Sequence, residues 1–263
     1  MAIIGVDEAG KGPVIGSMFV VAARVGSEKD LPNNVSDSKK LTPKRREEIA
    51  KELIKVEYFS MGIQEVTIEE IDRPDSNMNI LTAEAHARAI SKIVEDGDCV
   101  YVDAADVNPG RFAKRVLNGL DAEVQIISEH KADQKYPVVS AASILAKVTR
   151  DAHIAELVNT YGNMGSGYPS DVRTREFLQR YILENGTLPY CARKSWKTSK
   201  DILDKTAQKS IGESGVLFFL LGFSGFTEFS RILGKLMCRP LHPPDPENPE
   251  KSLNVSNFLS RVP

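Results

Sequence analysis

Asp7 and Glu8 follow the apolar run Ile3-Ile4-Gly5-Val6, Asp103 ends a second run in CVYVD, and Asp133 lies in HKADQKYP ahead of a long helical pattern. An acidic pair on its own reads as a solvated turn after an edge strand. Two further acids at comparable places weigh against that. In an α/β sheet, carboxylates at strand ends converge at the rim where ligands bind. Close carboxylates repel one another unless a cation offsets them. Their hard oxygens favour Mg²⁺ or Mn²⁺, and two such ions suit in-line hydrolysis of a phosphodiester. Asp106 competes with Asp103, and spacing does not choose between them. Adjacent strand residues point to opposite faces, so Asp7 and Glu8 reach one metal site only if the strand ends or twists at Glu8.

The octet GVDEAGKG, residues 5–12, also fits the first seven positions of a phosphate-binding loop. It fails at the eighth, where Gly12 replaces the hydroxyl residue that such a loop uses on magnesium. Asp7 and Glu8 would stand against the phosphates, and Pro13-Val14-Ile15 opens no helix. A nucleotide loop is therefore rejected. Gly10 and Gly12 instead read as a tight turn.

Periodicity and turn residues outline the elements that must carry these groups. Strands are expected over 3–7, 17–25, 56–64, 99–103 and 123–128. Thr42 and Pro43 suit an N-cap and first helical position, so a helix is expected from Pro43 to about Lys55. Further helices are expected over 79–95, after Pro109, from Val138 to about Thr160, and over 173–185. Strands grouped first and then alternating with helices indicate an α/β domain with a mixed sheet.

The 263 residues are 41% hydrophobic and 27% charged, with a net charge of −2. No global basic field exists, so nucleic-acid binding needs a local patch. Cys99, Cys191 and Cys238 are far apart and odd in number, as expected of reduced thiols in a cytoplasm. The N-terminus has neither a basic start nor a long apolar run, so no signal peptide is expected. The apolar stretch Val216–Phe223 is too short to span a membrane, and 240–251 reads as a linker.

Five segments in order, DEAGKG, DSKKL, YVDAADV, EHKADQKYPVVSAASILAKVTRD and GSGYPSD, resemble the archaeal type of ribonuclease HII across residues 1 to about 205. The resemblance implies a ribonuclease H-like fold, with a mixed β-sheet flanked by helices and a C-terminal helical portion. It divides the chain into a catalytic domain over 1–205 and an extension over 206–263. It implies Asp7, Glu8, Asp103 and Asp133 as catalytic acids and ligands of Mn²⁺ or Mg²⁺ in a two-metal site, and so selects Asp103 over Asp106. The implied activity is cutting the RNA strand of RNA–DNA hybrids, and 5′ of single ribonucleotides in duplex DNA, leaving a 3′-hydroxyl and a 5′-phosphate.

By the same resemblance Gly10, Lys11 and Gly12 bind substrate, the bare backbone reaching the 2′-hydroxyl that distinguishes RNA from DNA. Tyr168 packs on the sugar after the ribonucleotide. Lys39 is a phosphate contact by its motif; Ser140, Ser143 and Lys147 lie along one stripe of the long helix and read as substrate contacts, Ser143 equally as a packed small residue. Lys44, Arg45 and Arg46 read better as partners of Glu47 and Glu48 on a solvated face. Arg193, Lys194, Lys197 and Lys200 surround Trp196, either as a basic nucleic-acid surface or around a core tryptophan. His130 suits a supporting role, and His86 and His153 are expected to face core or solvent. A monomer is expected.

Such chains often end in a sliding-clamp peptide, Q-x-x-aliphatic-x-x-aromatic. Gln208 and Ile211 match it, but Ser214 stands where the aromatic belongs, which weakens clamp binding. A ribonuclease HIII-like enzyme is disfavoured by Tyr168 and by the absence of an N-terminal substrate-binding domain. A noncatalytic hybrid-binding module is disfavoured by the four acids, since binding alone needs no carboxylate cluster.

Overall fold

Five strands pair in the order β3-β2-β1-β4-β5 in a computed structural model that describes residues 2–35 and 41–207. β1 (Ile3–Ala9) is antiparallel to β2 (Met18–Val25), and β2 to β3 (Ser60–Val66). β4 (Cys99–Asp103) and β5 (Gln125–Glu129) lie parallel on the other side of β1. The expected mixed sheet is present, with its parallel half running β1-β4-β5.

Helices cover both faces. α6 (Pro137–Tyr161) and α1 (Pro43–Leu53) pack with Val21, Ala23 and Val25 on one side. α3 (Met78–Ile90) and α4 (Pro109–Leu117) pack with Ile4, Val6, Val20, Val100 and Val102 on the other. β1 and β2 are thus apolar on both faces, as central strands must be. A Cβ on Gly5 would stand 2.2 Å from the Val138 carbonyl, so the missing side chain lets α6 lie directly on β1. α2 (Ile68–Ile71) and α5 (Ala132–Lys135) are single turns. α7 (Val172–Asn185) and a helix over 197–207 supply the C-terminal helical portion. A third apolar cluster joins α7 to Val14 and Ile15. Residues through Thr206 form one unit. Among the described residues no helix is long and apolar enough to cross a membrane.

Local signals held where caps decide. Thr42 accepts from the Arg45 amide at 3.3 Å with Pro43 in the first turn, and Asn108 caps α4 in the same way at 2.9 Å. Several boundaries differ, three of them for visible reasons. β1 runs on to Ala9, because Glu8 and Ala9 pair with Val20 and Phe19. β3 starts at Ser60 rather than 56, since Tyr58 takes a left-handed conformation (φ 59°) that interrupts an extended run. α3 stops at Ile90, where the Ser91 hydroxyl donates to the Ala87 carbonyl at 2.9 Å.

Candidate active site

Asp7 and Asp103 project on the same side of the sheet from neighbouring strands. The parallel register pairs Val6 with Val102, so the acids are next in line on β1 and β4. Asp7 shares its face with Gly5, against α6. It is buried, and burial pushes its carboxyl well above the usual range, with Glu8 and then Asp103 adding repulsion. A hydrogen bond from Ser143 on α6 opposes that rise. Lys147 Nζ, one turn along, donates to Ser143 Oγ at 2.9 Å, so a cation reaches Asp7 through one hydroxyl. The Ala132 amide donates to Asp103 Oδ1 at 3.1 Å, which seats the start of α5 on the end of β4. Asp133 is the next residue and is buried.

Glu8 goes the other way. Because β1 does not end at Glu8, its side chain falls on the face of Ile4 and Val6, toward α3. There Glu8 Oε2 lies 3.0 Å from Nε2 of the fully buried His86. A carboxylate only accepts, so the ring nitrogen donates. Phe112 of α4 meets the imidazole edge-on at 5.1 Å, and among the described residues His86 Nδ1 is buried without a partner. Among the described residues, no group of three or more His, Cys, Asp or Glu side chains is drawn together closely enough to hold a metal ion.

The donor chemistry nevertheless fits a divalent cation. The acids offer only hard oxygens, and Asp7 carries repulsion from two of them that such an ion would relieve. Asp7 and Asp103 share the face on which an ion would sit.

Asp106 is committed elsewhere. It pairs with Arg111 and with Arg115, the latter at 3.3 Å, and receives the Asn108 amide at 3.2 Å. The Arg111 hydrogen bond, followed by that amide, pulls its carboxyl down to about 2. A carboxyl with a lowered folded pKa adds stability above its unfolded value and loses it as pH falls toward the folded one. Asp106→Asn should therefore lower Tm at neutral pH, and the gap from wild type should close as pH falls from about 4 toward about 2. Calorimetry across that range checks it. Cleavage by the variant should persist, whereas a dead but folded variant would restore Asp106 as a catalytic candidate.

The glycine turn lies beside the acids. Gly10 needs its residue type for the fold: φ is +94°, and a Cβ would stand 2.8 Å from the Ser17 carbonyl. Gly12 does not, because its φ is ordinary for any residue and a Cβ would meet only Tyr168 Cε1, at 4.0 Å. Tyr168 is partly exposed and stacks over the Arg150 guanidinium at 5.0 Å. Lys11 Nζ donates to Asn79 Oδ1 at 3.0 Å and to the Ala105 carbonyl at 2.6 Å, which ties the turn to the loop after Asp103.

The remaining expected contacts divide. Lys147 lies on the Asp7 side of α6. Ser140 is fully buried and its hydroxyl donates to the Val35 carbonyl, a packing position on the inner stripe of α6. Lys39 and the Gln208–Ser214 peptide lie outside the described residues. Arg45 pairs with Glu48 at 2.7 Å on its own helix, and Arg46 crosses to Asp151 on α6 at 2.8 Å. His130 Nε2 sits 3.3 Å from the Val107 carbonyl, and His153 Nε2 accepts from the Ser17 amide at 3.5 Å. Arg193 belongs to no basic surface; it is fully buried under the glycine turn. His86 was assigned no role by sequence. Its only signal was a histidine on the inward stripe of an otherwise small-residue helix.

Known structures share this fold. Ribonuclease H2 from Pyrococcus horikoshii OT3 superposes with a TM-score of 0.72 at 43% identity, over 79% of this chain and 99% of that one. The fold is that of the type 2 ribonucleases H, a class of nucleases. The sequence model for ribonuclease HII matches residues 4–199, and the ribonuclease HII of Halobacterium salinarum is 49% identical over 214 residues, 81% of this chain and 100% of that protein. This chain belongs to the ribonuclease HII family. The structure of the PCNA:RNase HII complex from Archaeoglobus fulgidus is also similar, with a TM-score of 0.69 and 39% identity over 76% of this chain and 96% of that one.

Proposed function

We propose that this ribonuclease H cuts the RNA strand of RNA–DNA hybrids and cleaves 5′ of single ribonucleotides in duplex DNA, leaving a 3′-hydroxyl and a 5′-phosphate. The observation that carries the reading is the placement of a ligand-accessible Gly12, faced by Tyr168, beside the Asp7–Asp103 pair. An amide without a side chain over it suits close approach to a 2′-hydroxyl, the one group that separates RNA from DNA.

Asp7, Glu8, Asp103 and Asp133 would hold two divalent ions, Mn²⁺ or Mg²⁺, and when bound these would supply activation of water and neutralisation of the leaving oxygen. The chain's own groups do the rest. Ser143 and Lys147 hold the Asp7 carboxylate on the α6 side. Lys11 braces the turn against the Ala105 carbonyl and keeps a donor for a neighbouring phosphate. Tyr168, backed by Arg150, offers a flat face to the sugar after the ribonucleotide, and a deoxyribose packs there without a 2′-hydroxyl in the way. Lys39 and Lys147 would contact phosphates. The acids argue against a binding-only module, since four carboxylates weaken contact with a polyanion unless metal is present.

A duplex with one internal ribonucleotide, incubated with Mn²⁺ or Mg²⁺ and mapped at nucleotide resolution, tests the reading. A single cut on the 5′ side of the ribonucleotide supports it; tight binding with the strand intact points to the binding module. Tyr168→Ala should slow cutting at a single ribonucleotide about tenfold more than on a continuous hybrid, the order of one lost stacking contact. Equal losses on both substrates would remove the junction role. The enzyme is taken to act in the cytoplasm as a monomer. A clamp contact through Gln208–Ser214 follows the Archaeoglobus complex, weakened here by Ser214 in the aromatic position.

A further inference from the structure

Arg193 heads the fully buried side chains of the described residues by volume, and among those residues no carboxylate pairs with it. The nearby acid Asp72 is occupied by the Lys194 and Ser195 amides and the Ser195 hydroxyl. Burial pulls the guanidinium down to about 10, which leaves it charged at neutral pH. An unpaired buried cation is costly unless its donors are well used. Here they go to backbone carbonyls: Nη2 to Gly10 at 2.6 Å, Nη1 to Lys11 at 3.0 Å and Nε to Gly16 at 2.8 Å. The guanidinium stacks on Trp196 at 4.9 Å, and Trp196 Nε1 donates to the Gly12 carbonyl at 3.3 Å.

Carbonyls 10, 11 and 12 are therefore all held from within the protein. In a planar trans peptide the carbonyl of one residue and the N–H of the next point in opposite directions. Fixing the Gly10 and Lys11 carbonyls inward turns the Lys11 and Gly12 amides outward. Among the described residues those two amides have no acceptor.

We propose that Arg193, seconded by Trp196, is the positioning residue that sets the selectivity of the Gly10–Gly12 turn for a ribose 2′-hydroxyl. It touches no substrate, being fully buried. It acts by presenting two aligned amide donors beside Tyr168. A planar fork of fixed donors spans three carbonyls in a way that a single ammonium cannot, so lysine does not replace it. The inference rests on the reading that this turn meets the 2′-hydroxyl.

The test uses the full chain and two duplexes of one sequence, one with a single internal ribonucleotide and one wholly deoxy. KM and kcat are measured on the first, and Ki for the second as a competitor. In the wild type, Ki should exceed KM. Arg193→Lys should raise KM about tenfold, the order of one hydrogen bond, with Ki unchanged, so that the Ki/KM ratio collapses. A structural role alone would lower Tm and kcat with the ratio kept, and that result overturns the proposal. If wild-type Ki equals KM, the 2′-hydroxyl reading of the turn fails instead, and the proposal falls with it. Should Arg193→Lys not fold, Trp196→Phe decides: it keeps a ring over the guanidinium and removes only the bond to Gly12. A smaller fall in the same ratio sustains the proposal, and an unchanged ratio overturns it.

Discussion

Asp7→Asn should abolish cleavage, by about 10³-fold or more, while the metal-free protein should stay at least as stable as the wild type. The size of the loss follows from the several kcal/mol that bound divalent ions contribute to a phosphoryl transition state. The stability follows from the surroundings. Asp7 is buried between Glu8 and Asp103, and burial, then Glu8, then Asp103 disfavour its charge. An amide of the same shape keeps the oxygen that accepts the Glu8 amide at 2.7 Å and can still take the Ser143 hydroxyl. It removes a charge that Ser143 and the Glu8 amide offset only in part. Two measurements check this together: cleavage of a single-ribonucleotide duplex, and Tm with and without millimolar Mn²⁺. A ligand that binds only the folded state raises Tm. The wild type should show that rise and the variant should lose most of it. Full activity, or an undiminished Mn²⁺ shift, would remove Asp7 from the metal site.

Gly12→Ala should cost about 10²-fold in cleavage with no change in Tm, the scale of loss expected when a reacting group is displaced by about 1 Å. Gly10→Ala should lower Tm as well as activity. The two glycines are two residues apart and look alike in sequence, yet their reasons differ. At Gly10, φ is +94° and a Cβ would press on the Ser17 carbonyl at 2.8 Å, so alanine strains the folded chain itself. At Gly12 a methyl has room, with only Tyr168 Cε1 at 4.0 Å, so alanine obstructs whatever approaches from outside. Melting curves beside kcat and KM for both variants separate the cases. A Gly12→Ala enzyme as active as the wild type would show that nothing approaches the turn closely.

The pair also shows how far sequence reaches. Residue types at strand ends pointed to Asp7 and Asp103, Asp133 stood ahead of the long helical pattern, and Thr42 with Pro43 placed a helix start, because capping and periodicity are written within a few residues. The β1 boundary was not legible. Whether Glu8 and Ala9 stay in the strand depends on Val20 and Phe19 across the hairpin, and that pairing sends Glu8 to the opposite face from Asp7. Ser140 and Ser143 share a helical stripe, and only packing distinguishes the hydroxyl spent on Val35 from the one that meets Asp7. Spacing also left Asp106 level with Asp103; the family resemblance selected Asp103, and in the fold Asp106 is paired with two arginines.

The sequence by itself determined the chemistry available: hard carboxylate oxygens at the ends of buried strands, a glycine turn beside them, and a mixed sheet to carry both. Only the tertiary structure decided how those groups are held. His86 reaches Glu8 across 78 positions and Arg193 reaches Gly10 across 183. Neither contact leaves a local trace. Both exist because folding removes water from a charged group and leaves it to find partners wherever the chain has brought them.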